Sequence, residues 1–150
     1  MIRLGEIDFD ERILEALTNN KLVVFAGAGV SMGSPSNLSS FEKLAEAIAE
    51  GTNLKAIDPL DRFLGELHHK KIPVHTRAAE RLSPIGSEPN CLHRDLLRMF
   101  GSADRVKLVT TNFDHHFTTA FVDVFKKEPV LYSAPALPRG ANFKGIVHVR

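Results

Sequence analysis

A short apolar run that ends abruptly in a glycine loop constrains this chain more than any other stretch. Residues 22–26 read LVVFA, and Gly27, Ala28 and Gly29 follow directly, with Ser31 just beyond. A β-branched run of this length, bounded by glycine, is typical of a buried parallel strand that delivers a loop to the carboxyl edge of a sheet. Glycines there can take a positive φ and let the backbone approach a ligand, and exposed amides suit a pyrophosphate. We interpret the loop as a nucleotide-binding turn, and a plain tight turn is the alternative.

The loop departs from the fingerprint of ordinary dinucleotide-binding dehydrogenases. That fingerprint is G-x-G-x-x-G, followed by an acidic residue about 20 positions on. Here the third glycine, Gly33, comes one residue late, and the carboxylates at the right distance, Glu46 and Glu50, lie in a helical pattern. The sequence therefore meets the dehydrogenase pattern poorly.

Length and composition exclude several function classes. The chain has 150 residues, 43% of them hydrophobic, which is enough for one domain with a real core. Its 19 basic and 18 acidic side chains nearly cancel, so no bulk charge attracts nucleic acid or an anionic membrane. A single cysteine, Cys91, excludes an internal disulfide and a multi-thiolate metal site. With no apolar segment typical of a secretion signal or a membrane span, we expect a cytoplasmic protein without a metal ion in this chain.

Three patterns predict where helices begin. Asp8 with Glu11, and Ser39 with Glu42, have the spacing of a capping box. The pair Asp58-Pro59 places a carboxylate at the N-cap and a proline at the first helical position.

Strand patterns alternate with these helical patterns along the chain. They lie at residues 22–26, 106–111, 130–132 and 145–150. Such alternation favours a parallel α/β sheet. We therefore predict an α/β fold: a Rossmann-like parallel sheet with flanking helices and a helical insertion, residues 40–88, after the first strand.

Polar side chains mark three of the predicted strand ends. Ser31 follows the first strand, Asn112 and Asp114 follow the second, and His148 lies on the last. Ligands of open α/β sheets bind beyond the carboxyl ends of the strands, so we expect these groups to meet at one edge. Each also has a simpler explanation, because Asn112 or Asp114 can cap the following helix and a strand histidine can be structural.

The order of four motifs resembles the sirtuin family. Residues 27–31 match its GAG-x-S, residues 89–96 match P-x-x-x-H-x-x-L, residues 110–114 resemble T-Q-N-x-D, and residues 147–148 resemble its histidine strand end. The TTNFD version, followed directly by a helix, looks closest to bacterial sirtuin-like NAD-consuming enzymes of antiphage defence. The resemblance implies that residues 1–150 are the N-terminal portion of a sirtuin-like NAD-binding domain, hence an incomplete sirtuin-like fold. It leaves open whether these residues are active alone.

The resemblance also implies a substrate and a set of roles. NAD would be the substrate, with its pyrophosphate held by Gly27, Ala28 and Gly29 and with Ser31 nearby. Asn112 would position the nicotinamide ribose or an attacking water, Asp114 would bind the nicotinamide carboxamide, and His148 would act as general base. The motif histidine, His93, belongs to a mainly structural part of the family pattern and is left off the catalytic set.

Three functions follow from these expectations. The first is an NAD glycohydrolase that depletes NAD in antiphage defence, working as a homo-oligomer or with a partner subunit of the defence system. The second is an NAD-dependent protein-lysine deacylase, although residues 33–38 lack the arginine of the deacylase loop and residues 115–117 replace its Gly-Leu-His run. The third is a non-catalytic nucleotide-binding or assembly module, since a fold can persist without its chemistry.

Overall fold

A computed structural model describes residues 2–4, 6–140 and 142–149 of the chain. Its strands are β1 (Ile2–Leu4), β2 (Ile7–Phe9), β3 (Val24–Ala26), β4 (Lys107–Thr110), β5 (Leu131–Ser133) and β6 (Gly145–His148). Its α-helices are α1 (Glu11–Thr18), α2 (Phe41–Ala49), α3 (Leu60–His69), α4 (Val74–Leu82), α5 (Cys91–Arg98) and α6 (His116–Phe125), and single turns of 3-10 helix span Ala28–Ser31 and Ala103–Arg105.

The centre of the fold is a four-stranded parallel sheet in the order β3-β4-β6-β5. This confirms the predicted α/β class with a Rossmann-like parallel sheet, flanking helices and a helical insertion after the first of its strands. The register places Ala26 opposite Thr110, and Thr110 opposite His148. The carboxyl ends of these strands therefore meet at one edge of the sheet, as the sequence predicted.

One face of the sheet is covered by α5 and α6. Its buried cluster combines strand residues with helix residues: Ala26, Leu97, Phe100, Val106, Leu108, Phe117, Ala120, Phe121 and Ile146. Because alternate strand residues point to opposite faces, His148 shares this face with Ile146. The opposite face carries a smaller cluster of Val109, Phe143 and Val147, and the side chain of Phe25 there is 77% exposed.

The helical insertion builds its own apolar core from α2, α3 and α4. Seven buried residues form it: Leu44, Ala45, Ile48, Ala49, Phe63, Leu67 and Val74. Arg77 on α4 closes the carboxyl end of α2 by donating to the carbonyl oxygens of Ile48, at 2.6 Å, and Glu50, at 2.9 Å. These bonds satisfy carbonyls that the helix itself leaves without partners.

Several predicted boundaries are wrong by one or two residues. Asp8 lies in β2, which pairs with β1 in an antiparallel hairpin that the sequence did not indicate, and Asp10 caps α1 instead. Ser40 rather than Ser39 caps α2, and Pro59 rather than Asp58 is the N-cap of α3.

The strand predicted at 145–150 is observed at Gly145–His148, and residue 150 lies outside the described residues. Within the described ranges, no helix has both the length and the apolar character needed to cross a bilayer.

Candidate functional site

The loops after β3 and β4 meet at the hydroxyl of Ser31. This side chain is 1% exposed, and its Oγ lies 2.9 Å from Asp114 Oδ2, 3.2 Å from Asn112 Nδ2 and 3.1 Å from His93 Nε2. The structure thus brings together three of the residues that the sequence singled out, Ser31, Asn112 and Asp114. It adds His93, which the sequence analysis had left off the catalytic set.

Two of the three contacts of Ser31 have a clear direction. A carboxylate accepts, so the Ser31 hydroxyl donates its single proton to Asp114. The amide nitrogen of Asn112 donates, and it takes one lone pair of Oγ. His93 Nε2 donates to the other lone pair in the tautomer that carries its proton on Nε2, in which Nδ1 accepts from the Asn90 backbone. The hydroxyl is fully used, so Ser31 joins the site together rather than acting as a nucleophile.

His93 sits in an apolar and well-ordered position. Its side chain has no exposed surface, and its ring stacks edge-on against Phe117 with 4.7 Å between ring centres. Burial lowers the pKa of His93 from 6.5 to about 4; Asp114 opposes this shift, while His116 and Arg94 add to it. His93 is therefore neutral near pH 7, and its Nδ1 accepts the backbone N–H of Asn90 at 3.2 Å.

Asn90 ties the start of α5 to the glycine loop. It is the N-cap of that helix, accepting the His93 backbone N–H at 3.2 Å, and its Nδ2 donates to the carbonyl oxygen of Val30 at 2.7 Å and to that of Gly33 at 3.3 Å. A helix that packs firmly on the sheet thereby holds the loop. The sequence offers Asn90 as a helix cap, but it carries no signal for the contact with a loop about 60 residues earlier.

A cavity of about 300 Å³ opens beside Ser31. Its lining is largely apolar and comes from the two loops together with α2 and α4: Ala28, Ser31, Leu38, Ser39, Phe41, Leu44, Leu82, Thr111, Asn112, Phe113 and Asp114. Among these lining residues Asp114 is the only charged one. The contributions of Phe41, Leu44 and Leu82 were not predicted, because the sequence suggests no contact between the helical insertion and the strand ends.

One polar atom of a residue that lines the cavity lacks a partner. Asn112 is 4% exposed, and its Oδ1 makes no hydrogen bond within the described part of the chain. Two other polar groups of Asn112 have partners, because Nδ2 donates to Ser31 Oγ at 3.2 Å and the backbone N–H donates to Thr110 Oγ1 at 3.0 Å. A buried acceptor without a donor costs about 1–3 kcal/mol. Asn112 lines the cavity, so a ligand or water that reached its Oδ1 and donated to it would satisfy this acceptor.

Gly27 and Gly29 do not line this cavity, and the expectation that the loop glycines take a positive φ is wrong for both. Neither has a positive φ; Gly27, at φ −103°, is extended. A Cβ on Gly29 would meet nothing within 4 Å, and one on Gly27 would only touch Thr111 Oγ1 at 4.0 Å. The chain itself therefore does not require glycine at either position. The space that a methyl group on Gly29 would occupy is open, and a ligand could approach the backbone there.

His148 is at the predicted edge of the sheet but does not line the cavity. It is 4% exposed, and its ring centre lies 6.3 Å from that of His115. His115 belongs instead to a neighbouring cavity of about 280 Å³. The two cavities share Leu82 and Asp114 as a common wall. His148 therefore lines neither of these two cavities, although it lies next to His115 of the second, whereas Asn112 lines the first.

Asp114 stabilises the start of α6 and also bonds Ser31. Its Oδ1 accepts the backbone N–H of His116 at 3.0 Å, which satisfies a donor at the start of α6, while its Oδ2 accepts from Ser31. A carboxylate has about four acceptor positions. Two are used here, and two are left for a donor in the cavity.

The described residues contain no group of three or more histidine, cysteine, aspartate or glutamate side chains placed to hold a metal ion. Comparison with models of known protein families gives no match, and no curated protein matches the chain.

Proposed function

We propose that this chain carries the NAD-binding site of an NAD⁺ glycohydrolase, which cleaves the bond between nicotinamide and ribose. The observation that carries the proposal is the buried, unpartnered Oδ1 of Asn112, a residue that lines the cavity. An acceptor held in that position by Ser31 suits a ribose hydroxyl or an attacking water, both of which donate.

The cavity suits a nicotinamide ring better than a phosphate group. About 300 Å³ is at the lower end for small-molecule sites, the size for one ring rather than for a whole dinucleotide. The lining offers a carboxylate and no cation, which disfavours phosphate and favours a cationic ring whose carboxamide N–H groups donate to Asp114. The pyrophosphate would then lie along Gly27, Ala28 and Gly29, where the open space above Gly29 leaves room.

The proposed reaction needs few catalytic groups. Water adds to the anomeric carbon of the ribose, the bond from that carbon to the ring nitrogen breaks, and its electron pair neutralises the departing nicotinamide. The transition state resembles an oxocarbenium ion, as in other glycosyl transfers, and the leaving group needs no acid. Water loses a proton, for which His148 is the proposed base; base catalysis contributes about 100- to 10,000-fold. Depletion of cytoplasmic NAD in antiphage defence, by a homo-oligomer or with a partner subunit, completes the proposal and rests on the motif resemblance.

The test is an NAD-loss assay on the full-length protein. Asn112→Ala and His148→Ala should each abolish NAD loss while the variants remain folded by circular dichroism. Asn53→Ala and His75→Ala, at exposed positions of the helical insertion, are the matched controls and should keep full turnover.

Three results would count against the proposal. Turnover retained in both site variants removes the assigned roles. Nicotinamide release that requires an acetylated peptide favours the deacylase instead. Binding of NAD without any loss favours the non-catalytic module.

A further inference from the structure

His93 makes contacts that the proposed reaction does not use. It is fully buried and lines neither of the two cavities described above, yet its Nε2 lies 3.1 Å from the hydroxyl that bonds both Asn112 and Asp114. A buried histidine that served packing alone would be replaceable by an apolar ring. The position of its Nε2 at Ser31 indicates that the histidine is there to form a hydrogen bond.

We propose that His93 is a positioning residue that acts through Ser31 to hold Asn112 with its carbonyl oxygen available to the ligand. A serine side chain has three staggered rotamers, and its hydroxyl proton can rotate. With Asp114 taking the proton and His93 Nε2–H taking one lone pair, a single lone pair is left, and it faces Asn112. That lone pair accepts only from Nδ2, so Oδ1 is the atom left for the cavity.

The reverse orientation of the Asn112 amide is unfavourable for the same reason. Turning the amide over would place Oδ1 against the remaining lone pair of Ser31, so two acceptors would face each other without a proton. It would also present Nδ2, a donor, where the proposed ligand donates. In this way His93 and Ser31 make the site select ligands with donor groups.

His93 is held rigidly enough for this task. Asn90 and His93 form a reciprocal capping box at the start of α5, so the ring is fixed to its own helix. Asn90 also bonds the loop that contains Ser31 through the carbonyl oxygen of Val30. Asn90 therefore fixes both His93, the donor, and the loop that carries Ser31, the acceptor. Precise positioning needs such support from neighbouring residues.

The first test reads the hydrogen bonds directly and does not depend on NAD cleavage. Nitrogen NMR of the labelled protein near pH 7 should show the His93 proton on Nε2, and the Asn112 side-chain amide protons should exchange slowly with solvent. His93→Leu, if folded, should speed this exchange, and His93→Gln should restore slow exchange, because the glutamine amide nitrogen can replace Nε2 as donor. A proton found on Nδ1, which lies 2.8 Å from Asn90 Oδ1, would overturn the proposal, since Ser31 would then receive no donor from His93.

The second test is kinetic and rests on the proposed function. In the intact protein, His93→Leu should lower kcat for NAD loss about 100-fold, the usual cost of a misplaced reacting group, with little change in KM. His93→Gln should recover most of kcat. Phe121→Leu, which loosens the same apolar cluster without touching Ser31, is the matched control for stability and should keep kcat.

The two tests separate the two proposals. A wild-type protein that leaves NAD intact but shows the expected NMR behaviour contradicts the function and supports the positioning role. Normal kcat in a folded His93→Leu variant, or unchanged amide exchange, refutes the positioning role whatever the reaction is. Equal loss in His93→Leu and Phe121→Leu would assign His93 to packing and would also refute it.

Discussion

Acidification should destabilise the fold through His93 before it titrates most carboxylates. The ring is neutral in the folded protein because burial lowers its pKa from 6.5 to about 4. In the unfolded chain it titrates near its ordinary value. Between those two values the unfolded state binds more protons than the folded state, so stability falls as the pH falls.

The size of the effect follows from the shift. Each unit of pKa difference corresponds to about 1.4 kcal/mol, so a drop from 6.5 to about 4 amounts to about 3 kcal/mol. This contribution is fully present at pH 7 and above, and it is lost progressively as the pH falls through 6.5 towards 4. A typical domain has a free energy of unfolding of about 5–15 kcal/mol, so a loss of that size is a large fraction of the total.

Urea unfolding at a series of pH values between about 7.5 and 4.5 measures the contribution of His93 to the free energy of unfolding. The contribution of His93 is isolated by comparing the wild type with His93→Gln, whose side chain cannot ionise. The free energy of unfolding should fall with pH more steeply in the wild type than in the variant, by up to about 1.4 kcal/mol per pH unit in the window. Parallel pH profiles would refute the reasoning, because they would mean that His93 has the same proton affinity in both states.

Three further predictions test other parts of the structure. Gly29→Ala should leave the free energy of unfolding unchanged or raise it by about 0.5–1 kcal/mol, since no positive φ or close contact opposes the methyl group. The same variant should have a higher KM for NAD. Urea unfolding and steady-state kinetics measure these two effects, and a destabilised variant would contradict the prediction. Arg77→Met should lower the free energy of unfolding by about 2 kcal/mol, because the end of α2 loses two charged donors; a thermal melt unchanged from the wild type would show that these bonds contribute little. The dinucleotide with nicotinic acid in place of nicotinamide should be cleaved about 100-fold more slowly than NAD, because its carboxylate meets Asp114; equal rates would remove Asp114 from carboxamide binding.

The parts of the fold that follow from local pattern were predictable. Strand runs that end in glycine or in asparagine, alternating with amphipathic helices, led to a parallel sheet, and the carboxyl ends of parallel strands share an edge by geometry. The meeting of Ser31 with Asn112 and Asp114 follows from that geometry, and it is observed. The hairpin of β1 and β2 was not predictable, because strands of three residues have too short a pattern to distinguish from loop.

The contacts of the site depended on where helices dock. His93 and Asn90 stood in a quoted motif, yet no local rule says that the first turn of α5 points at the glycine loop 60 residues earlier in the chain. Likewise Phe41 and Leu82 come from the helical insertion, and their place in the cavity depends on how the insertion folds back. Such contacts arise from packing between elements far apart in sequence.

Taken by itself, the amino-acid sequence determined the class of the fold, the edge of the sheet at which polar groups gather, and which side chains could take part. Periodicity and strand direction are local properties, and these conclusions need nothing else. Only the tertiary structure decided the hydrogen-bond partners of Ser31, the apolar cavity with its single carboxylate, and the position of His148 outside the lining of that cavity. Those depend on distances of a few ångströms between helices and strands, and it is close packing across the whole domain that determines such distances.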